Sequence, residues 1–284
     1  MFYVNAPLPF CGQKRYCVKK FIEILDNYPS DAVYLDLFGG SGLLSHNVKE
    51  KYPNSRVIFN DYDNYLKRLE LIPITNEILK NIQFLIRKSN NQLQMDLEEK
   101  NQIIEIIENF IKEYGVEKID FETISTKLLF CSKIAYNIEE LRKKKFYNRP
   151  WKTLKFYKKG TFLHNVEVIR GDVEITDFRK VYEKYSNISN LVLILDPPYL
   201  QTDNSRYNKS MWRAKEFIDV VKLMVKKRFI FFSSQKSDAE VFLDFLHEQS
   251  VFPAFYKHKY SYAINNASKS KLRNDDIIFY NYKL

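Results

Sequence analysis

An acid, two prolines and an aromatic residue follow one another at Asp196, Pro197, Pro198 and Tyr199. They come directly after the apolar run Leu191–Leu195, which predicts a fully buried strand of a parallel sheet. Prolines end such a strand, because proline lacks the ladder N–H and fixes φ. The carboxylate and the Pro197 carbonyl can accept hydrogen bonds from an exocyclic amino group, and the tyrosine ring can stack on a planar base. The predicted chemistry is transfer to an amino nitrogen of a nucleobase; an ordinary turn with a packed tyrosine is the alternative.

Strand-like and helix-like patterns alternate around this motif. Residues 33–37 and 56–60 flank a glycine-rich turn and a helix, an order typical of a βαβ unit with a right-handed crossover. We therefore predict an α/β fold with a doubly wound, mostly parallel sheet. Further strands are predicted at 166–170, 191–195, 228–232, 254–259 and 277–280, with helices at 14–28, 42–51, 212–225 and 237–249.

A mainly helical segment interrupts the predicted sheet. Apolar residues such as Ile103 and Ile107 recur there at helical spacing. The predicted organisation is a sheet domain formed by residues 1–62 and 161–284, with a helical insertion at residues 63–160.

Four acids, Asp36, Asp61, Asp172 and Asp196, each lie at the carboxyl end of a predicted strand or just beyond it. A parallel sheet brings such residues to the edge where open α/β sheets bind ligands. Glycines in the turn at 39–42 let the backbone approach a ligand closely. Asp61 ends the second strand about twenty residues later, where an acid typically binds ribose hydroxyls. The pattern fits an adenosine-bearing cofactor, a dinucleotide included, and helix capping is the alternative for each acid.

Charge indicates a polyanionic partner. The net charge is +10, and residues 142–159 contain cations and aromatic residues such as Phe146 and Trp151 but no acid. Cations neutralise phosphates and aromatic rings stack on bases, so this tract favours a nucleic acid over a solvated basic loop. The polar loop predicted at 257–274 suits phosphate contacts, with a flexible surface hairpin as its alternative interpretation.

Cysteine usage and hydropathy exclude other classes. Cys11, Cys17 and Cys131 lack metal-binding spacing, so we expect no metal, and their small odd number favours a reducing compartment. The sequence shows neither a signal-peptide pattern nor an apolar run of membrane-spanning length. We expect a cytoplasmic protein without a membrane partner.

Taken in chain order, these segments resemble the DNA adenine-N6 methyltransferases of the Dam type, the alpha group of the D12 class, from Pro9 to Tyr280. The resemblance implies a Rossmann-like, S-adenosylmethionine-dependent methyltransferase fold. It also implies methyl transfer to the N6 amino group of an adenine flipped out of double-stranded DNA. The chain departs from the family where Asp36-Leu37-Phe38 replaces the usual Glu-Pro-Phe, and where Cys11 and Gln13 replace smaller residues. The loose match of the basic tract leaves the recognition sequence open, GATC included.

The resemblance also implies roles for residues. Asp196, Pro197, Pro198 and Tyr199 would form the catalytic motif. The residues implied in S-adenosylmethionine binding are Phe10, Cys11, Gly12, Lys14, Asp36, Phe38, Gly40, Ser41, Gly42, Asp61, Tyr62, Asp172, Val173 and Asp196. Those implied in DNA binding are Tyr136, Asn137, Arg142, Lys143, Lys144, Lys145, Arg149, Trp151, Asn266, Lys269, Lys271 and Arg273.

Three other functions stay open. An RNA adenine-N6 methyltransferase would have the same catalytic quartet. A protein-glutamine methyltransferase usually has Asn in place of Asp196 and lacks a basic aromatic tract. A DNA-binding relative without catalysis would keep the fold alone. The resemblance leaves room for a cognate restriction endonuclease, and we expect a monomer or weak dimer in a bacterium, or a phage protein in a bacterial host.

Overall fold

A computed structural model describes most of the chain. The described residues are 1–86, 94–130, 133–148, 156–199, 212–225, 227–234, 237–249, 259–263 and 275–282, with the backbone alone at 259–263, 275 and 276. The chain divides into two compact units. The first, here called the sheet unit, comprises Met1–Ala6, Phe10–Tyr65 and Thr161–Leu284, and the second, the helical unit, comprises Pro7–Pro9 and Leu66–Gly160.

One mixed sheet forms the centre of the sheet unit. Its described strands are β1 (Val33–Asp36), β2 (Arg56–Asn60), β3 (Glu167–Ile169), β4 (Leu191–Leu195), β5 (Arg228–Ser234), β6 (Lys259–Ala263) and β7 (Asp275–Asn281). They lie in the order β3-β2-β1-β4-β5-β7-β6. The first five are parallel, while β7 runs antiparallel to both β5 and β6. The predicted α/β class with a mostly parallel, doubly wound sheet is confirmed.

Helices surround this sheet and build the helical unit. In chain order they are α1 (Val18–Leu25), α2 (Leu43–Lys51), α3 (Tyr65–Glu70), α4 (Ile72–Ile86), α5 (Leu97–Tyr114), α6 (Phe121–Leu128), α7 (Ile138–Arg142), α8 (Val173–Thr176), α9 (Phe178–Tyr185), α10 (Ala214–Met224) and α11 (Ala239–Glu248). None of the described helices combines the length and the apolarity that a membrane span requires.

Successive residues of β4 face opposite sides of the sheet, as in any strand. Leu191, Leu193 and Leu195 pack in one core with side chains of α9, α10 and α11. Val192 and Ile194 pack in the other with side chains of α1 and α2. Because both faces are covered, all five residues are buried and the strand is continuously apolar. The strand ends are therefore what this sheet offers to a ligand.

The helical unit has a core of its own. Ile103 and Ile107 of α5, which the sequence pattern placed on one helical face, are both fully buried. They cluster with apolar residues of α4, α6 and α7, including Ile82, Ile124 and Leu141. The target-recognition role expected of residues 63–160 stays a prediction.

The first helix begins later than the sequence predicts. The expectation was a helix over 14–28, whereas α1 begins at Val18 and ends at Leu25. Gly12 has a φ of +78°, and the Cys17 N–H donates to the Lys14 carbonyl in a separate turn. Residues ahead of Val18 thus follow a non-helical path that brings Lys14 into the site described below.

Two further elements differ from the expectation. Strand β6 overlaps the strand predicted at 254–259 only at Lys259, and residues 251–258 lie outside the described part. It occupies part of the predicted polar loop because its Tyr-Ser-Tyr sequence favours a strand, and it pairs with β7. Helix α9 was not predicted, although Phe178, Val181 and Tyr185 form its buried face.

Candidate active site

The carboxyl ends of four neighbouring parallel strands form one edge of the sheet. In the order β3-β2-β1-β4, these ends place Asp172, Asp61, Asp36 and Asp196 along that edge. Asp36 ends β1 and lies opposite Ile194 of β4. The structure therefore brings together the four strand-end acids that the sequence singled out.

Asp36 is the most deeply buried of these acids, with no exposed surface. Its Oδ2 accepts a hydrogen bond of 2.7 Å from the hydroxyl of Ser45 on α2. Its Oδ1 is buried and forms no hydrogen bond with any residue that the structure describes. Burial raises the pKa of Asp36 to about 7, the Asp196 carboxylate adds to the rise, and the Ser45 hydrogen bond opposes it. Sequence analysis missed Ser45, whose only signal is its place in the first turn of α2.

The turn between β1 and α2 needs its glycines. Gly40 and Gly42 have φ values of +50° and +70°, which side chains strongly disfavour. A Cβ on Gly40 would lie 2.9 Å from the ring of Phe10, and one on Gly39 would lie 2.1 Å from the ring of Phe59. The turn is thus held between two aromatic rings, and Ser41 within it is buried. This places Phe10 beside the glycine turn, and their shared role in cofactor binding stays a prediction.

Asp61 and Asp172 both form the helix caps that the sequence left open as their alternative role. The buried Asp61 accepts a hydrogen bond of 2.6 Å from the Tyr65 N–H at the start of α3, and the Arg170 guanidinium is 3.9 Å away. The exposed Asp172 accepts one of 3.0 Å from the Ile175 N–H in α8. Their expected contacts with a cofactor stay predictions.

Asn60, directly before Asp61, has a bridging role that sequence reasoning did not assign. It is buried, and its Nδ2 donates to the carbonyls of Leu37 at 3.0 Å and Thr176 at 2.8 Å. One side chain thus fastens the end of β2 to the segments that follow β1 and β3. An Asn at a strand end is the only sequence signal for this role.

Asp196 lies beyond the end of β4, and its carboxylate forms an ion pair with Lys14. The Lys14 Nζ is 2.6 Å from Asp196 Oδ2, and the two side chains are 9% and 17% exposed. The same ammonium group donates to the Gly12 carbonyl at 3.0 Å and lies 5.4 Å from the centre of the Tyr199 ring. Lys14, expected among the cofactor-binding residues, therefore contacts the predicted catalytic motif. Pro197 is buried, whereas Pro198 and Tyr199 are half-buried.

The remaining residues of the predicted cofactor set lie at or near the same edge. The Phe38 ring packs 5.1 Å from that of Phe178 and 5.6 Å from that of Trp212, centre to centre. Cys11 and Tyr62 are half-buried. Val173 is 65% exposed, an apolar surface directly after Asp172.

The predicted DNA-binding residues that the structure describes belong to the helical unit. Tyr136 is exposed, and Asn137 caps α7 by accepting a hydrogen bond of 2.8 Å from Glu140. Arg142 pairs with Glu108, Lys143 and Lys145 are exposed, and Lys144 is half-buried. Arg149, Trp151, Asn266, Lys269, Lys271 and Arg273 lie outside the described residues.

One aromatic residue of the basic tract is not available to a nucleic acid. The presence of Phe146 among the cations was taken as a sign of an exposed, base-contacting ring, and this interpretation was wrong. Phe146 is 1% exposed and belongs to the core of the helical unit. Its carbonyl accepts a hydrogen bond from Met95, so the backbone pairs with a neighbouring segment here. The prediction that this tract binds DNA therefore depends on the exposed lysines around Phe146.

Among the residues that the structure describes, no group of three or more His, Cys, Asp or Glu side chains is arranged to hold a metal ion.

The family model described as D12 class N6 adenine-specific DNA methyltransferase matches residues 10–254. The chain belongs to this family. The matched residues run from Phe10 beside the glycine turn through Asp36, Asp61 and the Asp196–Tyr199 motif. The family resemblance inferred from the sequence is thereby confirmed, and the protein is an adenine methyltransferase.

A second comparison agrees with the family. The chain is 33% identical over 289 residues to a Haemophilus influenzae (strain ATCC 51907 / DSM 11121 / KW20 / Rd) protein named "Putative methyltransferase". The similarity covers 98% of this chain and 92% of that protein. The similarity to this relative therefore extends over nearly the full length of the chain, including the helical unit.

Proposed function

We propose that this D12 class enzyme transfers a methyl group from S-adenosylmethionine to the N6 amino group of an adenine that is flipped out of duplex DNA. The observation that carries the proposal is the Asp196–Tyr199 motif at the carboxyl end of β4. A partly exposed carboxylate and a tyrosine ring share one lysine contact there. That arrangement offers a hydrogen-bond acceptor and a stacking surface at the same place.

The residues along the sheet edge fit S-adenosylmethionine as the methyl donor. Asp36 is a buried acid with an unbonded oxygen, and a bound cation offsets the cost of ionising such an acid. S-adenosylmethionine carries a cationic sulfonium and an ammonium group, and it supplies an activated methyl group when bound. The glycine turn with Phe10, the acid Asp61 and the exposed apolar Val173 complete a set suited to an adenosine-bearing molecule.

The catalytic motif would act on the target base through hydrogen bonding and stacking. Asp196 and the Pro197 carbonyl accept the two hydrogens of the amino group, which limits delocalisation of the nitrogen lone pair into the ring. Tyr199 stacks on the base and fixes its plane. Positioning is then the main contribution of these residues, since a fixed approach geometry lowers the barrier by removing orientational freedom.

DNA binding is proposed for the basic residues of the helical unit. Lys143 and Lys145 are exposed, and Lys144 is half-buried beside them. Flanking cations at residues 149–159 extend the run without an intervening acid. Such a run suits contacts with phosphates, which position a duplex without specifying its sequence. The insertion at 63–160 is accordingly proposed to bind the target DNA.

Transfer of label from methyl-tritiated S-adenosylmethionine tests the proposal. We expect the wild-type protein to label unmethylated duplex DNA, with the label recovered as N6-methyladenine after digestion. Asp196→Asn should lower the rate by about 10²- to 10³-fold, because the negative charge is lost and an amide donor replaces one of the two acceptor oxygens. Its affinity for S-adenosylmethionine, measured by calorimetry, should change little. Asp26→Asn is the matched control, since Asp26 also pairs with a lysine at 2.6 Å but lies 70% exposed.

The outcomes separate the alternatives. Label in RNA but not in DNA would identify an RNA adenine methyltransferase. An absence of both transfer and S-adenosylmethionine binding would indicate a DNA-binding relative without catalysis. Full activity of the Asp196→Asn variant would show that the charge of this carboxylate does not contribute to the transfer.

A further inference from the structure

Lys14 occupies an unusual position for a residue expected to bind the cofactor. It is 9% exposed, and its ammonium group contacts the predicted catalytic motif directly. The non-helical turn ahead of α1 positions it, with Gly12 at a φ of +78° and the Lys14 carbonyl accepting hydrogen bonds from Cys17. The backbone at Lys14 is thus fixed before its side chain reaches the sheet edge.

We propose that Lys14 is a positioning residue for methyl transfer: its ammonium group keeps the Asp196 carboxylate ionised and fixes its orientation beside the Tyr199 ring. This inference rests on the proposed function.

The geometry supports this role in three ways. The distance of 2.6 Å between Lys14 Nζ and Asp196 Oδ2 is that of a strong, charge-assisted hydrogen bond. The hydrogen bond of 3.0 Å from Nζ to the Gly12 carbonyl further restrains the ammonium group. The Tyr199 ring centre lies 5.4 Å from Nζ, within cation–π range. One side chain therefore links the acceptor and the stacking ring of the motif.

Electrostatics give Lys14 a task beside these two carboxylates. Asp36 is close enough for its charge and that of Asp196 to disfavour each other's ionisation. A protonated Asp196 would offer a hydrogen-bond donor where the amino group requires an acceptor. A neighbouring ammonium group favours the ionised carboxylate and so opposes the effect of Asp36.

The test compares Lys14→Met, which keeps the length of the side chain without its charge, with Lys14→Arg, which keeps the charge. Lys51→Met is the matched control, because Lys51 also pairs with an aspartate at 2.6 Å and donates to a backbone carbonyl. For Lys14→Met we expect kcat for methylation of duplex DNA to fall about 10- to 100-fold. The acid limb of its pH–rate profile should move upward by about one pH unit or more. The Kd for S-adenosylmethionine should stay within about threefold.

The control and the conservative variant sharpen this expectation. Lys14→Arg should return the pH profile towards that of the wild type, and Lys51→Met should leave both kcat and the profile unchanged. Because wild type and variants share Asp36, the displacement of the acid limb isolates the effect of Lys14. A Tm measurement gives a readout without turnover: Lys14→Met should lower Tm less in an Asp196→Asn background than in the wild type.

Two results would overturn the inference. A rise of more than about tenfold in the Kd for S-adenosylmethionine, with kcat unchanged at saturation, would show that Lys14 binds the cofactor instead. Equal Tm losses in both backgrounds would show that the Lys14–Asp196 pair is not coupled. If the wild type itself transfers no methyl group, the proposed function fails and this inference falls with it. Wild-type transfer with an unaltered Lys14→Met profile overturns the inference alone.

Discussion

The buried carboxyl group of Asp36 lowers the stability of the fold when it is ionised, but the same charge would favour the binding of a cationic ligand. A carboxyl group without exposed surface is costly to ionise, even though the Ser45 hydroxyl and the backbone at Phe38 and Ser45 donate hydrogen bonds to it. Its pKa, raised by burial to about 7, expresses that cost. The proposed cationic ligand would offset this cost of ionisation on binding. Such a gain would account for an acid at the end of a buried strand.

The pH dependence of stability tests this view of Asp36. Its folded-state pKa of about 7 exceeds the ordinary value of 3.8, so its contribution to stability is complete below pH 4 and is lost as the pH rises to about 7. Asp36→Asn should therefore become more stable than the wild type over this window. The difference should reach on the order of 4 kcal/mol, at about 1.4 kcal/mol per unit of pKa shift.

Denaturant unfolding between pH 4 and pH 8 measures this difference in the free energy of unfolding. Asp26→Asn is the control, because its side chain is 70% exposed and should give a flat difference. Parallel curves for the wild type and Asp36→Asn would contradict the raised pKa.

The sequence allowed the positions of the key acids to be predicted, but not the side chains that contact them. The positions of Asp36 and Asp196 at strand ends follow from the apolar runs before them, so both were predictable. The partners of these acids were not, because Ser45 and Lys14 reach them through the geometry of a turn and a non-helical segment. No spacing rule specifies which side chain fills such a place.

At the scale of elements, Asn60 fastens the strand ends that carry the site. Its two donated hydrogen bonds, to Leu37 and Thr176, join β2 to the backbone beyond β1 and to α8. Asn60→Asp would replace the donating amide group with a carboxylate oxygen, which repels the Leu37 and Thr176 carbonyl oxygens. We expect a loss of at least about 3 kcal/mol in the free energy of unfolding.

Asn190→Asp provides the matched comparison for this change. Asn190 donates to the Asp31 carbonyl in an exposed setting, so the same substitution should cost within about 0.5 kcal/mol. Chemical denaturation of both variants at pH 7 gives the two values. Similar losses of unfolding free energy in the two variants would show that the hydrogen bonds of Asn60 are not needed to hold the strand ends together.

The elements also differ in how well the sequence predicted them. Strands such as β4 were recognised because burial on both faces leaves a continuous apolar run. Helix α9 was missed although its apolar residues have helical spacing, because it spans only eight residues and four of them are charged. Strand β6 was missed because the polar residues after it dominate the predicted loop, although its own Tyr-Ser-Tyr sequence favours a strand that pairs with β7.

For the whole molecule, we expect DNA binding to depend on where the positive charges lie and not only on the net charge. The lysines at 143–145 should contribute to duplex DNA binding through their phosphate contacts. Their replacement by Gln should reduce the slope of log K against log salt by about 2 to 3, at about 0.9 per phosphate contact. The slope is measured from the binding of a fluorescent duplex at salt concentrations between about 50 and 200 mM NaCl.

A second triple variant removes the same charge elsewhere. Lys19, Lys180 and Lys222 lie on α1, α9 and α10 of the sheet unit, and all three are exposed. Their replacement by Gln should leave the slope nearly unchanged. Equal effects of the two triple variants would attribute binding to net charge and remove the 143–145 run from the interface.

The pairing of β1 with β4 also has a consequence for how the protein is made. Val33 lies opposite Leu191, with residues 66–160 of the helical unit encoded between them. At about 5 to 20 residues per second, β4 leaves the ribosome roughly 8 to 30 seconds after β1. During that interval α1 and α2 are present to cover one side of β1 and β2. On the other side, α10 and α11 have not been synthesised, and α9 is made only shortly before β4. The nascent chain thus exposes an apolar strand pair to chaperones and to other nascent chains, and fast production should favour aggregation.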